Sequence, residues 1–204
     1  MIQFYCFYRP FVNLIKQHGL DGLDIDIEED TDISVPLRLM NALYRDMGQH
    51  FLMTLTPLAS ALSSKTGQNL SGFSYFDLDF LATVPGSDRS LVSWYNTMFY
   101  GRYPRGAPTY DTVIEAGWDP ERVVMIVLDN SNNGPPNGFK RIEKLQETIG
   151  EFVDTFPRFG GVAGWEYYNA GASDSEDMQP REWVSMVGDA LFASPSKSKV
   201  KGES

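Results

Sequence analysis

The chain has one cysteine, Cys6, and two histidines, His18 and His50. A lone thiol cannot form an internal disulfide, and two isolated histidines give neither a metal-ligand spacing nor a Cys/His dyad, so all three are read as structural. No apolar run approaches the roughly 20 residues that a membrane helix needs. The stretch from Met1 to Pro10 lacks the basic start, the apolar length and the small-residue cleavage site of a signal peptide, so the sequence carries no export address. No basic cluster appears before the C-terminal tail, and a formal net charge of −10 repels nucleic acid and anionic membranes; neither is expected as a partner. There is no Gly-rich phosphate loop after the first strand, which argues against a dinucleotide-binding sheet.

What the chain does have is a composition able to bury one core: 204 residues, 42% apolar, 13% aromatic and 22% charged. Five strands are expected, near Leu23, Phe51, Leu91, Val123 and Gly161. They alternate with helical segments and have no hairpin turn between them, which implies parallel βα units. Pro10 is placed in the first turn of a helix with Phe11, Leu14 and Ile15 on its apolar face. A second helix starts near Ser34 and Pro36, and later ones carry Ile142, Leu145, Ile149 and Phe152, then Trp183, Val187 and Leu191. Short helices are expected at 76–82 and 109–116. Residues 59–72 read as a long loop, and 194–204 as a disordered Lys/Ser-rich tail behind a domain at 1–193.

One stretch conflicts with its own propensity. From Leu20 to Glu29, acids alternate with aliphatic residues at period two, which puts Asp24, Asp26 and Glu28 on one strand face and Leu23, Ile25 and Ile27 on the other. Same-face neighbours lie roughly 6.5 Å apart, so three carboxylates in file raise one another's cost of ionisation. Strands are depleted in Asp, and such local conflicts tend to mark function. Three readings compete: a solvated acidic edge, a calcium loop, and a general acid with supporting carboxylates. The calcium loop fits poorly, because the interleaving residues are Leu and Ile and no Gly stands sixth. The third has Glu28 held protonated near neutral pH by neighbouring charge and partial burial.

Asp21-Gly22-Leu23-Asp24-Ile25-Asp26-Ile27-Glu28 resembles the DGxDxDxE signature of glycoside hydrolase family 18, the chitinases and endo-β-N-acetylglucosaminidases. Trp94-Tyr95-Asn96, Phe99-Tyr100 and Gly161-Val162-Ala163-Gly164-Trp165-Glu166-Tyr167-Tyr168-Asn169 are most similar to fungal endo-β-N-acetylglucosaminidase-like members, whose relatives are mostly secreted. The resemblance implies an incomplete (β/α)8 TIM barrel, with strands four to eight present and strands one to three missing; a complete barrel is typically about 250 residues. It implies hydrolysis of β-1,4-linked N-acetylglucosamine, in the chitobiose core of N-glycans or in chitin, by a substrate-assisted retaining route with no cofactor and no metal. Glu28 is then the general acid. Asp26 takes the acetamide N–H, Asp24 shares charge or a proton with it, and the Tyr100 hydroxyl holds the acetamide carbonyl. Trp165 is a floor under the sugar, and Met98, Asn96 and Glu166 are further substrate contacts. Endo-type relatives often have Gln where Met98 stands and Asn or Asp where Gly101 stands. A catalytically weak sugar-binding fragment is the alternative of another class. With one strand edge open, the chain on its own is expected to self-associate and to hydrolyse weakly.

Overall fold

A computed structural model of the chain describes residues 2–101, 109–135 and 138–193. The tail expected at 194–204 lies outside these residues. Helix α1 (Ile2–His18) leads into β1 (Gly22–Ile25), α2 (Ser34–Met47) and β2 (Leu52–Leu55). Two short helices, α3 (Ala59–Ser63) and α4 (Tyr75–Leu81), precede β3 (Trp94–Met98), and α5 (Tyr110–Glu115) precedes β4 (Val123–Leu128). Helix α6 (Ile142–Thr155), β5 (Val162–Trp165) and α7 (Pro180–Phe192) complete the order. No described helix is long and apolar enough to cross a membrane.

The five strands are all parallel and lie side by side in sequence order, β1-β2-β3-β4-β5. Parallel crossovers are right-handed, so a sheet whose order never reverses receives every helix on the same face. That face is the core: Ile25, Met53, Leu55, Tyr95, Val123 and Met125 are buried against helical residues such as Met40, Leu43, Leu78 and Ile149. The other face belongs to the alternate residues. The sheet curls into an incomplete (β/α)8 barrel, with this second face on the inside of the curl. Among the described residues nothing pairs with the outer edge of β1 or of β5.

Several local expectations are corrected. Pro10 lies inside α1 rather than in its first turn. The helix continues past it because Tyr8, Val12 and Ile15 are all buried, and Tyr8 donates a hydrogen bond to Asp46 at 2.9 Å, so packing outweighs the lost backbone bond. Leu14, expected on the buried face, is exposed. Residues 59–63 form α3, whose Ala59, Ala61 and Leu62 are buried; five residues are too few to show a helical period. β1 also ends at Ile25, so Asp26 and Glu28 continue beyond the ladder rather than within it.

Candidate active site

The first acid is held by the two strands beside it. Asp24 stands opposite Thr54 in the β1–β2 register. The hydroxyls of Thr54 and Thr56 each donate to its carboxylate at 2.5 Å, and the Asn96 side-chain amide donates at 2.8 Å. Asn96 is itself fixed by the indole N–H of Trp94, which donates to its oxygen at 3.0 Å. Thr54 and Thr56 are buried although polar, and Asp24 is their partner. Three donors fix the orientation of the Asp24 carboxyl on the strand face.

The second acid is in the opposite situation. Asp26 has its carboxyl pushed up to about 6, first by desolvation and then by the negative charges of Glu28 and Asp24. The buried Tyr75 hydroxyl is raised to about 12 by burial, with Asp26 and Asp24 adding to the effect. Asp26 and Glu28 line an open cleft of about 460 Å³ together with Val35, Pro36 and Leu39 of α2. Glu28 is exposed. Asp24 held by three donors, Asp26 raised towards neutrality and Glu28, all three exposed, therefore follow one another at the C-terminal end of a barrel strand, where barrel enzymes do chemistry.

The remaining predicted residues come from two strand ends, those of β3 and β5. Met98 is buried on β3, its N–H donating to the Pro57 carbonyl at 2.8 Å, and Tyr100 is half-buried two residues further on. Gly138 passes so close to Tyr100 that a Cβ there would lie 2.5 Å from the tyrosine Cβ. Trp165 ends β5 opposite Leu128 with its indole half exposed, the Trp165–Glu166 peptide is cis, and Glu166 is exposed. The structure thus joins Asn96 directly to Asp24 and sets Asp26 beside Glu28, while Trp165 and Glu166 stand four strands away.

Four residues that shape the site do not stand out in the sequence. Thr54 and Thr56 had a signal, since Thr54-Leu55-Thr56 alternates in step with the acids on the neighbouring strand. Trp94 stands in the Trp94-Tyr95-Asn96 stretch that carries part of the family resemblance, on the same face as Asn96, but that stretch does not reveal that its indole holds the Asn96 amide. Asp129 follows the most apolar strand of the chain and is 1% exposed; burial pushes its carboxyl up to about 6, with Glu166 adding repulsion while Asn133 and two backbone N–H groups oppose the rise.

A parallel barrel with an acid row at one strand end defines a class of barrel hydrolases, and comparison narrows it. The chain is similar to the structure of the chitinase ChiC from Aspergillus fumigatus, at 34% identity and a TM-score of 0.73, over 94% of this chain and 66% of that one. A fungal endo-β-N-acetylglucosaminidase from glycosyl hydrolase family 18 matches at 34% identity and a TM-score of 0.75, over 93% of this chain and 63% of that one. A GH18 chitinase from Pseudoalteromonas aurantia, at 17% identity and a TM-score of 0.65 over 90% of this chain and 66% of that one, shares the fold. No protein-family model and no curated protein matches the chain. In sequence and fold the chain is similar to members of glycoside hydrolase family 18. It spans just under two thirds of the two fungal structures.

Proposed function

We propose that the chain carries the acid machinery of a retaining hydrolase of β-1,4-linked N-acetylglucosamine. Glu28 protonates the glycosidic oxygen as the bond from that oxygen to C1 breaks, and the substrate's own acetamide oxygen bonds to C1. The leaving sugar departs as an alcohol and the remaining sugar as a cyclic oxazolinium. Water then adds at C1, giving its proton to the Glu28 carboxylate, and the acetamide is restored with overall retention. Asp26 in its ionised form accepts the acetamide N–H and sharpens the oxygen as a nucleophile. Asp24, in its Thr54, Thr56 and Asn96 cradle, stands beside Asp26 to share charge or a proton with it. Tyr100 is assigned to the acetamide carbonyl, and Trp165 to the apolar face of the sugar, with Met98 and Glu166 beside them.

The observation that carries this reading is the contrast between neighbouring acids: Asp24 with three donors, and Asp26 with its carboxyl raised to about 6. A merely solvated acidic edge has no reason to organise buried threonines around one member of the row. The strand-end words around Tyr100 and Trp165 favour the N-glycan chitobiose core, and the equal identity to a fungal chitinase supports chitin as the second substrate. Glu28→Gln is expected to lower turnover by roughly 10²- to 10⁴-fold while oligosaccharide binding survives. Assays on a high-mannose glycoprotein and on chitin oligomers measure both; unchanged turnover in the variant removes Glu28 from its role.

A further inference from the structure

The peptide that joins Trp165 to Glu166 is gripped from both sides by the loop after β4. Its carbonyl accepts the Asp129 backbone N–H at 3.3 Å and the Asn133 side-chain amide at 2.8 Å. Its N–H, which belongs to Glu166, is directed at the Asp129 carboxylate, and Asn133 donates to the same carboxylate at 3.1 Å. One residue earlier, Gly164 leaves room for this: a Cβ there would run into the Asp129 carboxylate and approach the Trp183 ring to 2.9 Å.

The grip is itself braced. Asn133 and Asn169 exchange side-chain hydrogen bonds at 2.9 and 2.7 Å, and Asn130 holds the Asn169 carbonyl at 3.0 Å. Gly171 donates its N–H to the Asp129 carbonyl at 3.0 Å. Asp129, Asn130 and Ala170 are 1%, 3% and 1% exposed, whereas Trp165, whose carbonyl Asp129 and Asn133 hold, is 50% exposed. A buried network built around an indole left half in water does not act to bury that indole. A buried carboxylate is a costly way to brace a loop, which an amide or an apolar contact would do at less expense to stability. Rigid mounting of an exposed stacking surface lowers the ordering cost of binding.

We propose that Asp129 and Asn133 are positioning residues that clamp the Trp165–Glu166 peptide and so present the Trp165 indole to the sugar. The proposal rests on the reading of Trp165 as a stacking floor. The clamp predicts the geometry of Trp165 with no ligand present, and the floor predicts affinity, so the two are separable.

The test uses the full chain and its Asn133→Ala, Asp129→Asn and Asp129→Ala variants. Acrylamide quenching and emission of Trp165, isolated by difference from Trp165→Phe, read the clamp. Titration with chitotetraose reads affinity. Asn133→Ala and Asp129→Ala are expected to shift the Trp165 emission, to raise its quenching, and to weaken binding by roughly tenfold, the usual cost of losing one buried hydrogen bond. Asp129→Asn keeps an acceptor for the Glu166 N–H and recovers part of both losses. In a Trp165→Ala background the same substitutions change binding less than about twofold. Should Asp129→Ala not fold, Asn133→Ala, at a half-buried loop position, carries the test alone. Emission and quenching of Trp165 unchanged in Asn133→Ala overturn the clamp, as does an affinity loss that persists without Trp165. If Trp165→Ala leaves binding unchanged while the clamp variants still move the indole, the clamp stands and the stacking floor falls.

Discussion

Asp129→Asn should make the chain more stable at neutral pH and leave it unchanged in acid. The native carboxyl of Asp129 is raised from 3.8 to about 6, chiefly by burial. An acid raised on folding holds its proton more tightly in the native state. Its contribution to stability is therefore fully present below about pH 3.8 and is lost as pH rises through about 6. A rise of that size is worth about 3 kcal/mol, and at 1% exposure little of it is screened by water. Asparagine cannot ionise, so the variant lacks this slope, while the raised Asp26 is common to both chains and cancels in the difference. Urea unfolding between about pH 4 and pH 7 measures the effect. With a slope of about 2 kcal/mol/M, the midpoint of the variant should move ahead of the parent by about 1.2 M across that range. Parallel midpoint curves would show that Asp129 is not a buried, raised acid. A gain in stability accompanied by a looser Trp165 is the exchange expected of a residue kept for function.

Other outcomes follow from single contacts. Thr54→Val removes a 2.5 Å hydroxyl donor from Asp24; because water reaches this exposed carboxylate, the loss should be about 1 kcal/mol, a melting shift of about 2–4 °C by calorimetry. Thr56→Val should match it, and no shift in either would mean that the cradle does not hold the acid. Gly164→Ala places a Cβ 2.9 Å from the Trp183 ring and should cost about 1–3 kcal/mol in denaturant unfolding. Size-exclusion chromatography should show the chain larger than 22.9 kDa, because the outer edges of β1 and β5 are unpaired among the described residues; a monodisperse 22.9 kDa species would refute this.

The sheet was legible because parallel strands covered on one face by helices keep long apolar runs, as in Val123 to Leu128, and because no turn chemistry joined one strand to the next. The acid row was legible for the opposite reason, that Asp24 and Asp26 break strand propensity. Its internal division was not. Which acid is anchored depends on what the next two strands bring alongside, and the pairing of Asp24 with Thr54 and the reach of Asn96 are register facts that a single strand does not contain. α3 hid behind its length, and α1 behind a proline whose cost is met by burial contributed elsewhere in the chain. Asp129 was invisible because an acid after an apolar strand looks like a turn residue. Only the approach of Gly164 and the Glu166 N–H makes it a buried one.

The two ends of the candidate site are built by one rule. A parallel strand pair places residues of adjacent strands in the same layer on the same face, so a functional side chain at one strand end is within reach of the next strand without any loop between them. Asp24 uses this towards β2 and β3. Trp165 uses it towards β4, whose first residue past the strand supplies both a backbone N–H and a carboxylate. The acid end is held by residues on or directly after a strand, whereas at the Trp165 end the loop after β4 contributes Asn133 as well. Under the proposed function, the other connections set which N-acetylglucosamine polymer enters, while these neighbours hold the acid row and the Trp165 peptide in place. On that proposal, a substitution that changes substrate preference is to be sought in the remaining strand-end loops, and one that changes proton transfer or stacking in Thr54, Thr56, Asn96, Asp129 and the loop residue Asn133.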